Sequence, residues 1–147
     1  MQLGKDFRDL LELLNRHQVR YLVVGGFAVA VHGAPRYTKD LDIWLEVSPD
    51  NARRIIAVLD EFGFASLGLR DEDFLDEDIV IQLGYEPNRL DFLTKLTGVE
   101  FAEAHAARTS FVINGIDVPV IDRASLIANK RALGRSHDLE DAKELEK

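Results

Sequence analysis

The chain has 147 residues, 46% of them hydrophobic, which is enough to close one buried core, and one domain over residues 1–147 is the expectation. A net charge of −8 argues against an extended, sequence-independent grip on nucleic acid, which needs Lys and Arg against phosphates. No run approaches the ~18 apolar residues of a membrane span, so a cytoplasmic protein is expected. The absence of cysteine excludes disulfides, thiolate nucleophiles and Cys-ligated zinc, leaving oxygen or imidazole as metal ligands.

In chain order, Phe7, Leu10, Leu11 and Leu14 recur at helical spacing, predicting an amphipathic helix that ends near Arg16 to Gln18. Tyr21 to Val24 is a short β-prone run stopped by Gly25-Gly26, and Phe27 to His32 suit a short helix closed by Gly33 and Pro35. From Asp40 the pattern alternates: Leu41, Ile43, Leu45 and Val47 face one way, Asp40, Asp42, Trp44 and Glu46 the other. Ser48-Pro49 begins a helix whose buried stripe is Ala52, Ile55, Ile56, Leu59 and Phe62, with Gly63 as its stop.

Ile79 to Leu83 and Arg89 to Leu93 read as two strands separated by a turn with Gly84 and Pro87; Asp91 faces opposite Leu90 and Phe92. Asn114-Gly115 between Phe111–Ile113 and Ile116–Ile121 signals a tight hairpin. Two helices follow, one from about Ala124 to Gly134 and one carrying Leu139, Ala142 and Leu145. The acidic runs from Asp71 to Asp78 and from Asp138 to Glu146 read as solvated surfaces. The expected class is α/β (α+β), a mixed sheet flanked by helices with a C-terminal hairpin and helical pair.

Carboxylates at i and i+2 on a strand share a face, and ionising both is costly without a cation between them. Asp40-Leu41-Asp42 has this arrangement, and oxygen-only ligands suit magnesium. Asp91 on a neighbouring strand could complete a metal site or accept a proton. Gly25-Gly26, ending a strand and opening a helix, lets backbone N–H groups approach a phosphate. Trp44 is expected to pack beneath a helix, and His32 and His105 lack metal-ligand spacing.

The segment Val24-Gly25-Gly26, thirteen residues, then Asp40-Leu41-Asp42-Ile43 resembles the signature of the DNA polymerase beta-like nucleotidyltransferase superfamily. GGFAVAVHGAPRYTKDLDI is similar to small bacterial nucleotidyltransferases related to abortive-infection and toxin–antitoxin proteins, and more loosely to aminoglycoside and lincosamide nucleotidyltransferases. The likeness covers Tyr21 to Gly63 well and extends more weakly to Asp91 and to Lys130, Arg135, Asp138 and Asp141.

The resemblance implies a nucleotidyltransferase that moves a nucleoside monophosphate from a nucleoside triphosphate to a hydroxyl. Gly25 and Gly26 would face the triphosphate, and Asp40, Asp42 and Asp91 would be catalytic and hold magnesium, with two ions expected. Arg36, Lys39, Lys130 and Arg131 are candidates to screen the triphosphate, with Arg36 and Lys130 the preferred pair. The acceptor stays open: protein, RNA, or a drug or metabolite. A partner-binding, antitoxin-like module of the same fold is the alternative.

Overall fold

A computed structural model describes residues 4–33, 40–84 and 89–147. The elements run α1 (Lys5–Arg16), β1 (Tyr21–Val24), α2 (Gly25–Val31), β2 (Asp40–Leu45), α3 (Pro49–Phe62), β3 (Val80–Leu83), β4 (Arg89–Leu93), α4 (Phe101–Ala106), β5 (Thr109–Ile113), β6 (Ile116–Val120), α5 (Arg123–Leu133) and α6 (Ser136–Glu146). The six strands form one sheet in the order β3-β4-β2-β1-β6-β5. β1 pairs antiparallel with β2 and parallel with β6, and β2 pairs parallel with β4. The mixed α/β architecture expected from the alternation is therefore present.

Strand pairing sorts the side chains into two faces. Tyr21, Val23, Leu41, Ile43, Leu45, Leu90 and Phe92 point one way and are almost completely buried. The Tyr21 hydroxyl donates to Asn15 Oδ1 on α1 at 2.8 Å, and the Phe92 ring meets Phe74 edge-on at 6.2 Å. The opposite face carries Asp40, Asp42, Trp44, Arg89 and Asp91.

Ser48 caps α3 as expected, its hydroxyl accepting from Asn51 N–H, and Gly63 ends the helix at φ 99°. Asn51 itself is fully buried. Its side chain accepts from Arg20 N–H at 2.8 Å and donates to the Arg20 and Glu46 carbonyls at 3.0 and 2.9 Å, pinning the start of β1 and the end of β2 to α3. Asn114 (φ 52°) and Gly115 (φ 78°) form the predicted tight turn between β5 and β6.

The acidic C-terminal run departs from the solvated surface expected of it. Asp138 is completely buried and Asp141 nearly so, because Lys130 reaches them from α5 with Nζ 3.6 and 3.2 Å from their oxygens. Arg135 Nε adds a 2.6 Å hydrogen bond to Asp138 and holds that carboxyl below the usual carboxylate range. α4 carries too short a periodic stripe to be anticipated from the sequence, and its Phe101 packs edge-on against Trp44 at 5.1 Å. No helix among the described residues is long and apolar enough to cross a membrane.

Candidate active site

β1 ends at Val24, whose partner on β2 is Asp42, so the chain turns into α2 directly beside that carboxylate. The turn requires glycine. Gly25 has φ +69°, and a Cβ placed there would lie 2.0 Å from Asp42 Oδ2. Positive φ and steric contact thus both exclude a side chain, and the Gly25 backbone abuts the carboxylate. Gly26 follows as the second residue of α2.

The parallel register of β2 and β4 sets Asp42 opposite Asp91 and Asp40 opposite Arg89. Burial first, then the charges of Asp91 and Asp40, push the Asp42 carboxyl up to about 6. Burial also raises Asp91, whose side chain is 13% exposed, while the Arg89 guanidinium opposes the rise. Three acidic groups on one sheet face therefore repel one another at close range.

Arg89 meets that repulsion. Its Nη2 donates to Asp40 Oδ2 at 3.2 Å, and its Nε lies 3.5 Å from Asp91 Oδ1. Asp40, Asp42 and Asp91 are neighbours, yet among the described residues no three acidic or histidine side chains form a ready-made ion cage. With Arg89 bridging the first and third carboxylates, the set is spread rather than closed. The donor chemistry nevertheless fits a hard divalent cation: oxygen ligands only, mutually repelling, two of them pushed toward protonation. The role of Arg89 was missed from sequence, although Arg89-Leu90-Asp91 places it at i−2 from Asp91, on the same face.

Other predicted residues fall elsewhere. Lys130 is held in the α5–α6 ion cluster with Asp138 and Asp141, and Arg131 pairs with Glu146. Arg36 and Lys39 lie outside the described residues. His32 is buried with Nε2 2.7 Å from the Ile121 carbonyl, and His105 stacks on Phe101.

A cleft of about 910 Å³ opens on the carboxylate-bearing side, but at the far ends of β2 and β4, around Trp44, Glu46 and Thr94. The aspartates do not line it. Trp44, one two-residue strand step (~7 Å) beyond Asp42, separates the two regions. The lining includes Glu46, Glu77, Asp78, Glu100 and Glu103 against a single base, Lys95. Trp44 Nε1 is buried there with no hydrogen-bond partner among the described residues.

Comparisons with known proteins bear on the fold and the family. The chain resembles the lincosamide antibiotic adenylyltransferase LnuA in its lincomycin-bound crystal structure, at 16% identity and TM-score 0.56, covering 99% of this chain and 97% of that one. A nucleotidyltransferase from Thermotoga maritima aligns at 16% identity and TM-score 0.58, covering 95% and 88% of the two chains. The antibiotic-resistance factor ANT(2'')-Ia aligns at 13% identity and TM-score 0.58, covering 95% and 80%. At these identities the likeness establishes the fold. No curated protein sequence matches the chain. The family model described as aminoglycoside-2''-adenylyltransferase matches residues 6–145, and the chain therefore belongs to that family of nucleotidyltransferases, within the DNA polymerase beta-like superfamily.

Proposed function

We propose that this protein transfers AMP from magnesium-bound ATP to a hydroxyl group of a small, amine-bearing acceptor of the antibiotic or metabolite kind. The observation that carries the reading is the Asp42–Asp91 pairing on adjacent strands, beside a glycine turn with no room for a side chain. The family description and the drug-modifying relatives support adenylyl transfer to a small molecule, and the acidic cleft suits a cationic one.

Asp40, Asp42 and Asp91 would hold magnesium, which when bound offsets triphosphate charge and lowers the pKa of the acceptor hydroxyl. The chain's own residues do the rest. Gly25 and Gly26 would turn backbone N–H groups toward the phosphates. Arg36 and Lys39, four residues and one residue before Asp40 in sequence, would supply positive charge to the same groups. The acceptor oxygen attacks the α-phosphorus, an O–P bond forms, and the bond to pyrophosphate breaks. Asp91 accepts the hydroxyl proton, a role suited to a carboxylate whose proton affinity burial has raised. Lys130 braces α5 against α6 rather than serving the nucleotide. The domain is read as single and the protein as cytoplasmic.

The test is release of pyrophosphate from ATP, with and without magnesium, across aminoglycosides, lincosamides, RNA and co-expressed proteins. Turnover confined to amine-bearing small molecules, and lost in Asp42→Asn, supports the proposal. No pyrophosphate with any acceptor, or an unimpaired Asp42→Asn protein, overturns it. Modification of a protein acceptor alone would favour the toxin–antitoxin reading.

A further inference from the structure

We propose that Arg89 is a displaceable counter-ion: it bridges Asp40 and Asp91 before a divalent cation binds, then turns to the phosphate oxygens of the nucleotide. This rests on the reading that the three aspartates are the metal-binding group.

The argument begins with position. Arg89 is registered opposite Asp40, and alternation puts its side chain on the face that bears Asp40, Asp42 and Asp91. Its guanidinium contacts Asp40 Oδ2 at 3.2 Å and Asp91 Oδ1 at 3.5 Å, oxygens that a cation held by these two carboxylates would need. A divalent ion and a guanidinium cannot share those oxygens without like-charge repulsion, so binding of the first loosens the second.

The contacts are divided between two carboxylates: Arg89 Nη2 donates to Asp40 Oδ2, and its Nε approaches Asp91 Oδ1 as an ion pair at 3.5 Å. Its side chain is 33% exposed, against 0% for Asp138 in the α5–α6 cluster, so it can move without opening the core. A planar fork with several donors matches phosphate oxygens once freed. The nucleotide must come close to these carboxylates for its phosphate to react, so its oxygens arrive within reach of the same side chain.

The proposal predicts effects of opposite sign from one substitution. In Arg89→Gln, Mn²⁺ alone, titrated into the full chain without nucleotide and followed by electron paramagnetic resonance, should bind about three- to fivefold tighter because a competing ion pair is gone. In the same protein KM for ATP should rise about tenfold or more, as expected for loss of a charge-assisted contact, and Arg89→Lys should recover part of that loss. A purely structural arginine would weaken both. Unchanged or weaker Mn²⁺ binding, or a KM for ATP within twofold of wild type, overturns the proposal. If Arg89→Gln does not fold, Arg89→Met is read in the same way. Failure of both to fold also overturns it, since a residue the metal displaces cannot be indispensable to the fold. Asp42→Asn, assayed in parallel, separates the two ideas: if it leaves Mn²⁺ binding intact, the metal-site reading itself has failed.

Discussion

Asp42 and Asp91 stand opposite each other across the parallel β2–β4 register, and the Asp91 charge adds to burial in raising the Asp42 carboxyl, so the site stores like-charge repulsion at the point where the proposed chemistry needs a cation. The folded chain binds the Asp42 proton more tightly than the unfolded chain does, at about 6 against 3.8. Its contribution to stability is therefore complete below about pH 4 and is lost as the pH rises through about 6, amounting to ~3 kcal/mol at most. Asp42→Asn removes that dependence. Its melting temperature should match wild type near pH 4, exceed it at pH 7.5 without divalent ions, and lose the advantage when magnesium is added to wild type. An advantage of equal size at both pH values would contradict this account.

Gly25 should be the least replaceable residue of the turn. Gly25→Ala combines a left-handed φ with a clash against Asp42 Oδ2, and about 2 kcal/mol of stability should be lost. Displacing that carboxylate by even ~1 Å should lower kcat about a hundredfold. A double-mutant cycle isolates the contact: in an Asp42→Ala background the stability cost of Gly25→Ala should shrink toward the backbone strain alone. Strictly additive costs would show that the two residues are not coupled.

The placement of the candidate residues was readable in the sequence wherever they fall on a period of two. Asp40, Asp42 and Asp91 lie on strands whose alternation is clean, and Gly25 sits where a β-prone run must turn. Arg89 obeys the same alternation, but an arginine beside an aspartate normally denotes an exposed pair, and only the β2–β4 register reveals that it bridges two strands. Asp138 and Asp141 were misread for the converse reason. On one helix they resemble any acidic, solvated face; their burial depends on Lys130 arriving from a different helix, which no local pattern encodes. α4 was overlooked because six residues supply too little periodicity, although its Phe101 fixes the wall of the cleft.

Lys130 makes the distinction between a structural and a nucleotide-binding cation measurable. Removing it leaves Asp138 and Asp141 buried, with Arg135 reaching Asp138. Lys130→Ala should therefore cost about 3 kcal/mol of unfolding free energy in urea, the scale for breaking a buried ion pair from one side. Below its lowered melting temperature, the protein should keep a KM for ATP within about twofold of wild type. A folded, equally stable variant with a greatly raised KM would place the lysine on the nucleotide instead.

Trp44 is the chain's single tryptophan, and it stands between the carboxylates and the acidic cleft, so its fluorescence reports on acceptor binding without any turnover. An aminoglycoside entering the cleft brings several ammonium groups toward Glu77, Glu100 and Glu103, close to the indole packed on Phe101. Saturable quenching or a spectral shift is expected, and it should weaken as salt screens the partly exposed carboxylates. The double substitution of Glu100→Gln and Glu103→Gln should raise the apparent Kd about tenfold, consistent with two lost charge contacts, while leaving the Mn²⁺ affinity of the aspartate group unchanged. If the emission does not respond, or the double variant binds as tightly as wild type, the acceptor does not occupy this cleft. Nucleotidyl transfer would then have to use a surface nearer Asp40.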